Sequence, residues 1–420
     1  MSEQKNMGNI ISILENRKTF TPFYFYTEFL PKVAKLYGKN LQSLIQFSLI
    51  EENDNEAVFG FYYIDPISIP LFLSLAEQLK KFHGEPINLL LSNNSSTNSV
   101  LSFLEKADFF HIIGNNINPI YARGKNIFNY DKRYLGDFIN KTQRPEHKVR
   151  CYSLLDDHLN QKINELPVER KRDFLVEYFT YKVKEHFAVL LQLASKSKEL
   201  TFEYIEILAE LITNGVLHSS SNTYALMFAN IEKTSFSISD NGIGLYDSLL
   251  VKETEDINFF YSKFELFKEL QKSIDLKISD KIQNSLFSIF ETLFYSLLKD
   301  RKGLFDLMCN VVLNCDGYFR LHNQNAQIIV SARMFEELHD LYLLRTEIMD
   351  THKSFLFEQI DNLTFQKLLN KLSFKAKNKF IELAKTIINK HHKDVRYSSI
   401  RLYEVRFKGV HIEVEIPNHR

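Results

Sequence analysis

In the stretch Glu-Leu-Ile-Thr-Asn-Gly-Val-Leu-His, the residues Glu210, Asn214 and His218 recur every fourth position, and Asp240-Asn-Gly-Ile-Gly244 follows shortly after. A helix advances about 100° per residue, so these three side chains share one face while Ile205, Leu208, Ile212 and Val216 line the opposite, apolar one. Asn214 offers a neutral carbonyl oxygen, a hard ligand suited to a magnesium ion that keeps most of its waters and bridges phosphates. Glu210, one turn earlier, can accept a proton from an attacking water or hydroxyl. Asp240 closes the strand-like run Ser235-Phe-Ser-Ile-Ser, which fixes its carboxylate at a sheet end where it can accept a proton from the exocyclic amine of adenine. Gly242 and Gly244 let the backbone approach a ligand with no Cβ in the way. Each feature alone has a blander reading: Asp-Asn-Gly is an ordinary turn, Glu and Asn four apart are a solvated helix face, and His218 is a structural hydrogen-bonding residue. Their succession as helix, strand and glycine turn favours a nucleotide site.

The elements Glu210-x-x-x-Asn214 and Asp240-x-Gly242-x-Gly244 resemble the boxes of the GHKL superfamily, the Bergerat-fold ATPases that include DNA gyrase and the sensor histidine kinases. Glu210 to His218 is most similar to the helix of the anti-sigma-factor serine kinases. The resemblance implies a Bergerat-type α/β sandwich, a mixed sheet with helices on one face, and ATP with Mg2+ held between sheet and helices. Asn214 would then hold the metal, Asp240 the adenine, and Glu210 would be the catalytic base. A third box is expected in Lys302-Gly303-Leu304, ahead of Leu307, Val311, Val312 and Asp316-Gly317. Arg301 stands where that family carries its first glycine. Gly303 at a helix start can present backbone amides to a phosphate, with charge from Lys302 or Arg301 in place of the missing glycine. This departure favours ATP binding over fast hydrolysis.

At 420 residues the chain exceeds what one core usually supports. Its 52 basic and 52 acidic residues balance, which gives no overall argument for nucleic acid or an anionic membrane surface. Cys151, Cys309 and Cys315 are odd in number and lack paired metal-ligand spacing, as expected of a reducing compartment. The apolar run near Ile67–Leu75 is interrupted by Pro70 and too short for a bilayer, so a soluble, cytoplasmic protein is expected.

Residues 1–140 read as an α/β module in which a strand (Ala57–Ile64), a helix (Ser68–Phe82), a strand (Ile87–Leu91) and a helix (Asn98–Ala107) alternate. That order resembles a STAS-type domain, the phosphorylation target of the anti-sigma-factor kinases. The turn here is Asp65-Pro-Ile-Ser68, with Ile67 nearer the phosphoacceptor's place than Ser68, so the unit reads as a binding module. Residues 141–167, polar around Pro145, read as a linker. Residues 168–420 form the nucleotide-binding part, starting with a helix from Val168 to Leu193. A helical lid spans 245–301, with Phe260, Phe264, Phe267, Leu270 and Ile274, then Ile282, Leu286, Ile289, Leu293 and Leu297 at helical spacing. A strand at Gln327–Ser331 is followed by a helical insertion over 332–396 and a terminal strand ending at Pro417. His391-His392 is a solvated helix end, with no further ligand at useful spacing.

Three functions are open: a slow ATPase whose nucleotide state switches contacts of lid and N-terminal module, a protein serine kinase, and a nucleotide-binding scaffold without turnover. The helical insertions are expected to serve an unidentified protein partner or a homodimer. A sensor histidine kinase is disfavoured, because His186 in Lys184-Glu-His-Phe lies in no phosphoacceptor motif.

Overall fold

In the computed structural model, which describes residues 9–15, 19–39, 44–50, 63–92, 97–113, 126–135, 147–154, 157–194, 197–219, 222–251, 264–390 and 398–418, the chain is α/β with one parallel and one antiparallel sheet. The first unit runs β1 (Ile10–Leu14), α1 (Pro22–Tyr24), α2 (Leu30–Lys39), β2 (Gln46–Ile50), α3 (Ile69–His83), β3 (Ile87–Leu90), α4 (Asn98–Lys106), α5 (Phe109–Ile113) and β4 (Phe128–Asn129). Its strands pair in the order β1-β2-β3-β4, all parallel, with a helix in each crossover as parallel pairing requires. Gly84, at φ +75°, closes α3 in the left-handed conformation that glycine adopts without strain. Of the expected strand at Ala57–Ile64, residues 57–62 lie outside the described residues; Ile64 bridges Phe20.

The second part runs β5 (His147–Tyr152), α6 (Asp157–Asn164), α7 (Val168–Ala194), α8 (Lys198–Ser219), β6 (Thr223–Ala229), β7 (Lys233–Asp240), α9 (Leu245–Val251), α10 (Glu265–Ser273), α11 (Asp280–Leu298), α12 (Leu304–Cys309), β8 (Tyr318–Val330), α13 (Phe335–Leu356), α14 (Asn362–Lys385) and β9 (Ile400–Pro417). Its sheet, ordered β5-β6-β7-β9-β8, is antiparallel at every pairing, not mixed as expected. The reason is local. Asn230 accepts from the backbone of Glu232 and Lys233 at 2.9 and 2.8 Å, so β6 and β7 join through a tight turn that can only reverse direction. Residues 147–152, inside the segment read as a linker, form the edge strand of this sheet, and α6 follows.

Side chains alternate across the sheet. Ala225, Met227, Phe236, Ile238, Ile412 and Val414 enter a core shared with α7, α8, α11 and α12. On the other face, Val149, Tyr224, Leu226, Tyr403 and Phe407 join the core of the first unit, so that unit covers the back of the sheet. Between them lies a polar layer. Tyr26 meets His411 Nδ1 at 3.3 Å and stacks on His322, and Arg320 reaches Glu415 at 2.5 Å.

Two further expectations are revised. Helix α11, assigned to a lid, is buried through Ser285–Glu291 and again through Leu293–Leu298: its apolar half packs into the core and against β8, and its polar side is enclosed too, with Ser285, Ser288 and Ser296 buried and Glu291 accepting Phe267 N–H at 2.8 Å. It is a core helix. Phe260, expected to open the lid's apolar series, lies outside the described residues. The strand read at Gln327–Ser331 begins at Tyr318, and its polar middle, Asn323 to Asn325, bulges against β9. The insertion is an antiparallel hairpin of α13 and α14, the latter capped by Asp361, whose side chain accepts from Thr364 N at 2.6 Å. His391-His392 lies outside the described residues. Among the described residues no helix is long and apolar enough to cross a membrane.

Candidate functional site

Helix α8 starts at Ser197, whose hydroxyl accepts from Leu200 N at 3.1 Å. Ile205, Leu208, Ile212 and Val216 are buried on one face, at about 1.5–3 kcal/mol each. That burial turns Glu210 and Asn214 toward a cleft. At Gly215 a Cβ would come within 2.6 Å of Thr223 Oγ1 and 3.5 Å of Asp240 Cβ, so α8 lies directly against the strand ends. The side chain of His218 lies outside the described part of the chain.

Glu210 and Asn214 are both held by Arg172 of α7. Its guanidinium donates to Glu210 Oε2 at 2.6 Å, to Glu210 Oε1 at 3.4 Å and to Asn214 Oδ1 at 3.0 Å. Arg301 stands 3.8 Å from Glu210 Oε1. The expected base is therefore an ion-paired carboxylate, and the oxygen expected to ligate magnesium already accepts a hydrogen bond.

Asp240 ends β7. Its Oδ1 accepts from Gly242 N at 2.7 Å and Val410 N at 3.3 Å, which leaves Oδ2 as the atom able to receive a ligand's N–H. Burial pushes the carboxyl up to about 6, against the pull of those two backbone donors. Gly409, at φ +100°, allows β9 this approach: a Cβ there would sit 2.0 Å from Asp240 O. Gly244 is left-handed at φ +88° and its Cβ would lie 2.2 Å from Gln324 Nε2. The glycine turn rests on the β8 bulge, where Asn323 Oδ1 accepts from Leu245 N at 3.0 Å and Gln324 Nε2 donates to Ile243 O at 2.8 Å.

On the opposite wall, Thr292, Tyr295 and Ser296 of α11 face the cleft, and Lys299, Arg301, Lys302 and Gly303 follow. Lys302 pairs with Glu203 at 2.9 Å. Gly303 N–H, expected to face a phosphate, instead donates to Asp306 Oδ2 at 2.8 Å, and Phe305 N–H donates to Ser296 Oγ at 3.1 Å. Lys299, Arg301 and Lys302 therefore carry the positive character of this wall through their side chains.

Glu210, Asn214, Asp240, Gly242, Gly244, Lys302 and Gly303 all line this single cleft. Arg172, Asn323 and Gln324 were missed. Arg172 lies in Glu-Arg-Lys-Arg-Asp, which reads as a solvated helix start, whereas the polar run His-Asn-Gln-Asn inside a strand was a legible sign of a bulge. Among the described residues no group of three or more His, Cys, Asp or Glu could hold a metal ion. Comparison with protein-family models, with curated proteins and with solved structures returns no match.

Proposed function

We propose that the cleft binds an adenine nucleotide, ATP in the GHKL manner, and that the protein is a slow ATPase whose nucleotide state is passed to the N-terminal unit. One observation carries the reading. Asp240, from β7, keeps Oδ2 for a donor while its Oδ1 is fixed by two backbone amides, and it lines the cleft together with Gly242 and Gly244. Lys299, Arg301 and Lys302, which line the same cleft, then supply cations for the phosphates, Arg301 and Lys302 in exchange for their contacts with Glu210 and Glu203.

Magnesium does not fit the site as it stands. Arg172 holds Asn214 Oδ1 and both oxygens of Glu210, so a metal at Asn214 has to displace a guanidinium. The same contacts make Glu210 one half of an ion pair and so a weaker base towards water, and they favour as second reading a nucleotide-binding scaffold without turnover. For the serine-kinase alternative, Ser68 offers no support as acceptor: it is fully buried and its hydroxyl donates to Phe20 O at 2.9 Å. Leu356, Phe357 and Leu363, strongly exposed where α13 meets α14, support a protein partner at the end of the hairpin.

Titration calorimetry with ATP, with and without magnesium, tests the reading. Binding that Asp240→Asn weakens about tenfold or more is the expected result. Unaltered affinity in that variant removes Asp240 from adenine recognition and the proposal with it.

A further inference from the structure

Arg345, on α13, heads the large, fully buried side chains among the described residues. A guanidinium carries five N–H donors and keeps its charge. All five are matched. Nε donates to Asp306 Oδ1 at 2.9 Å, and Nη2 donates to Asp306 Oδ2 at 3.0 Å and to Arg301 O at 2.7 Å. Nη1 donates to Leu297 O at 2.8 Å and also to Lys299 O.

Three of those acceptors are main-chain carbonyls of the segment leaving α11, and the one side-chain partner, Asp306, also receives Gly303 N–H. One side chain of the hairpin thus fixes the path from Leu297 to Gly303, the stretch bearing Lys299, Arg301 and Lys302. His352, two turns further along α13, adds a contact to Leu298 O at 2.9 Å. For stability alone, a well-packed apolar pair serves as well as a buried ion pair. What the guanidinium adds is direction: an apolar side chain cannot bind three carbonyls of one segment at set angles.

We propose that Arg345 is a positioning residue for the phosphate side of the cleft, so that the α13–α14 hairpin sets affinity for the nucleotide's phosphate chain and not for its base. The inference rests on the nucleotide reading above. It gives the hairpin a place in ligand recognition.

The test compares ATP with adenosine by calorimetry in wild type and Arg345→Lys, and follows amide hydrogen exchange over residues 297–303. Lysine keeps a charge opposite Asp306 but offers three donors from a single point, and it cannot span three carbonyls. ATP affinity is expected to fall about tenfold or more while adenosine affinity stays within about twofold. Exchange at 297–303 should rise while α14 stays protected. Equal loss for both ligands, unchanged ATP affinity, or unchanged exchange overturns the inference and leaves the nucleotide reading standing. A wild type that takes neither ligand refutes that reading, and the inference with it. Should the lysine variant not fold, Arg345→Met with Asp306→Leu removes the pair without stranding a charge and is read the same way.

Discussion

Asn241, the middle of the Asp-Asn-Gly turn, is hydrogen-bonded to Glu77 of the first unit: its Nδ2 donates to Glu77 Oε2 at 3.0 Å, and Tyr224 OH donates to the same oxygen at 2.9 Å. Gln78 Nε2, the next residue of α3, donates to Asn241 Oδ1 at 2.8 Å. The residue adjoining Asp240 is thereby anchored in the first unit.

Glu77→Ala removes the shared acceptor and leaves two buried donors without it. The expected cost is about 1–3 kcal/mol for each, read as a lower urea midpoint. Amide exchange at 240–244 should rise in parallel. If exchange there matches wild type while stability falls, Glu77 is only a packing residue and the units are not coupled through Asn241.

Asp240 gives a pH signature. Its carboxyl titrates near 6 in the folded protein against an ordinary 3.8, so the folded state binds the proton more tightly than the unfolded chain. That contribution is fully present below about pH 4 and is lost as pH rises through about 6. Asp240→Asn should therefore stabilise the protein at pH 7–8, by up to about 3 kcal/mol, and do little at pH 4. Nucleotide affinity in wild type should fall as pH drops below about 6, since the protonated carboxyl is a weaker acceptor for adenine's amine than the carboxylate. A variant that melts lower than wild type at pH 8 contradicts the assignment.

Arg172→Met should free Asn214 and release Glu210 from its closer cation, leaving Arg301 at 3.8 Å. Magnesium should then strengthen ATP binding more than it does in wild type, and any phosphate release should quicken. Removing Glu210 as well, in Arg172→Met with Glu210→Ala, should abolish that release by about a hundred-fold or more. Phosphate release that is the same with or without Arg172 shows that the ion pair does not restrain the site.

Gly244→Ala places a Cβ 2.2 Å from Gln324 Nε2 at a φ of +88°. Backbone strain alone costs about 1–3 kcal/mol, before the amide is pushed off Ile243 O. Thermal melting should register this loss. Gly38→Ala, with open space around the Cβ position, is the control and should melt within error of wild type or slightly higher.

Much of the cleft was legible because its parts are local. Helical periodicity alone put Glu210 and Asn214 opposite the apolar face of α8, and the glycine turn after Asp240 announces itself in three residues. The helices Ile69–His83 and Asn98–Lys106 and the strand Ile87–Leu90 likewise follow from apolar spacing and their flanking turns. The strand β5 is recognisable only beside β6.

What the sequence by itself determined is which side chains stand on which face of an element, since that depends on covalent spacing and backbone geometry within a single turn or strand. The tertiary structure alone decided which elements meet. Arg172 reaches Glu210 across 38 positions and Arg345 reaches Asp306 across 39, while Glu77 and Asn241 are 164 apart. The first two arise where helices of one core pack together and the third where the first unit closes on the back of the sheet, and no periodicity in the chain encodes them. The role of α11 turned on the same physics: its spacing marked a helix, and only burial on all sides made it a wall of the cleft and not a cover.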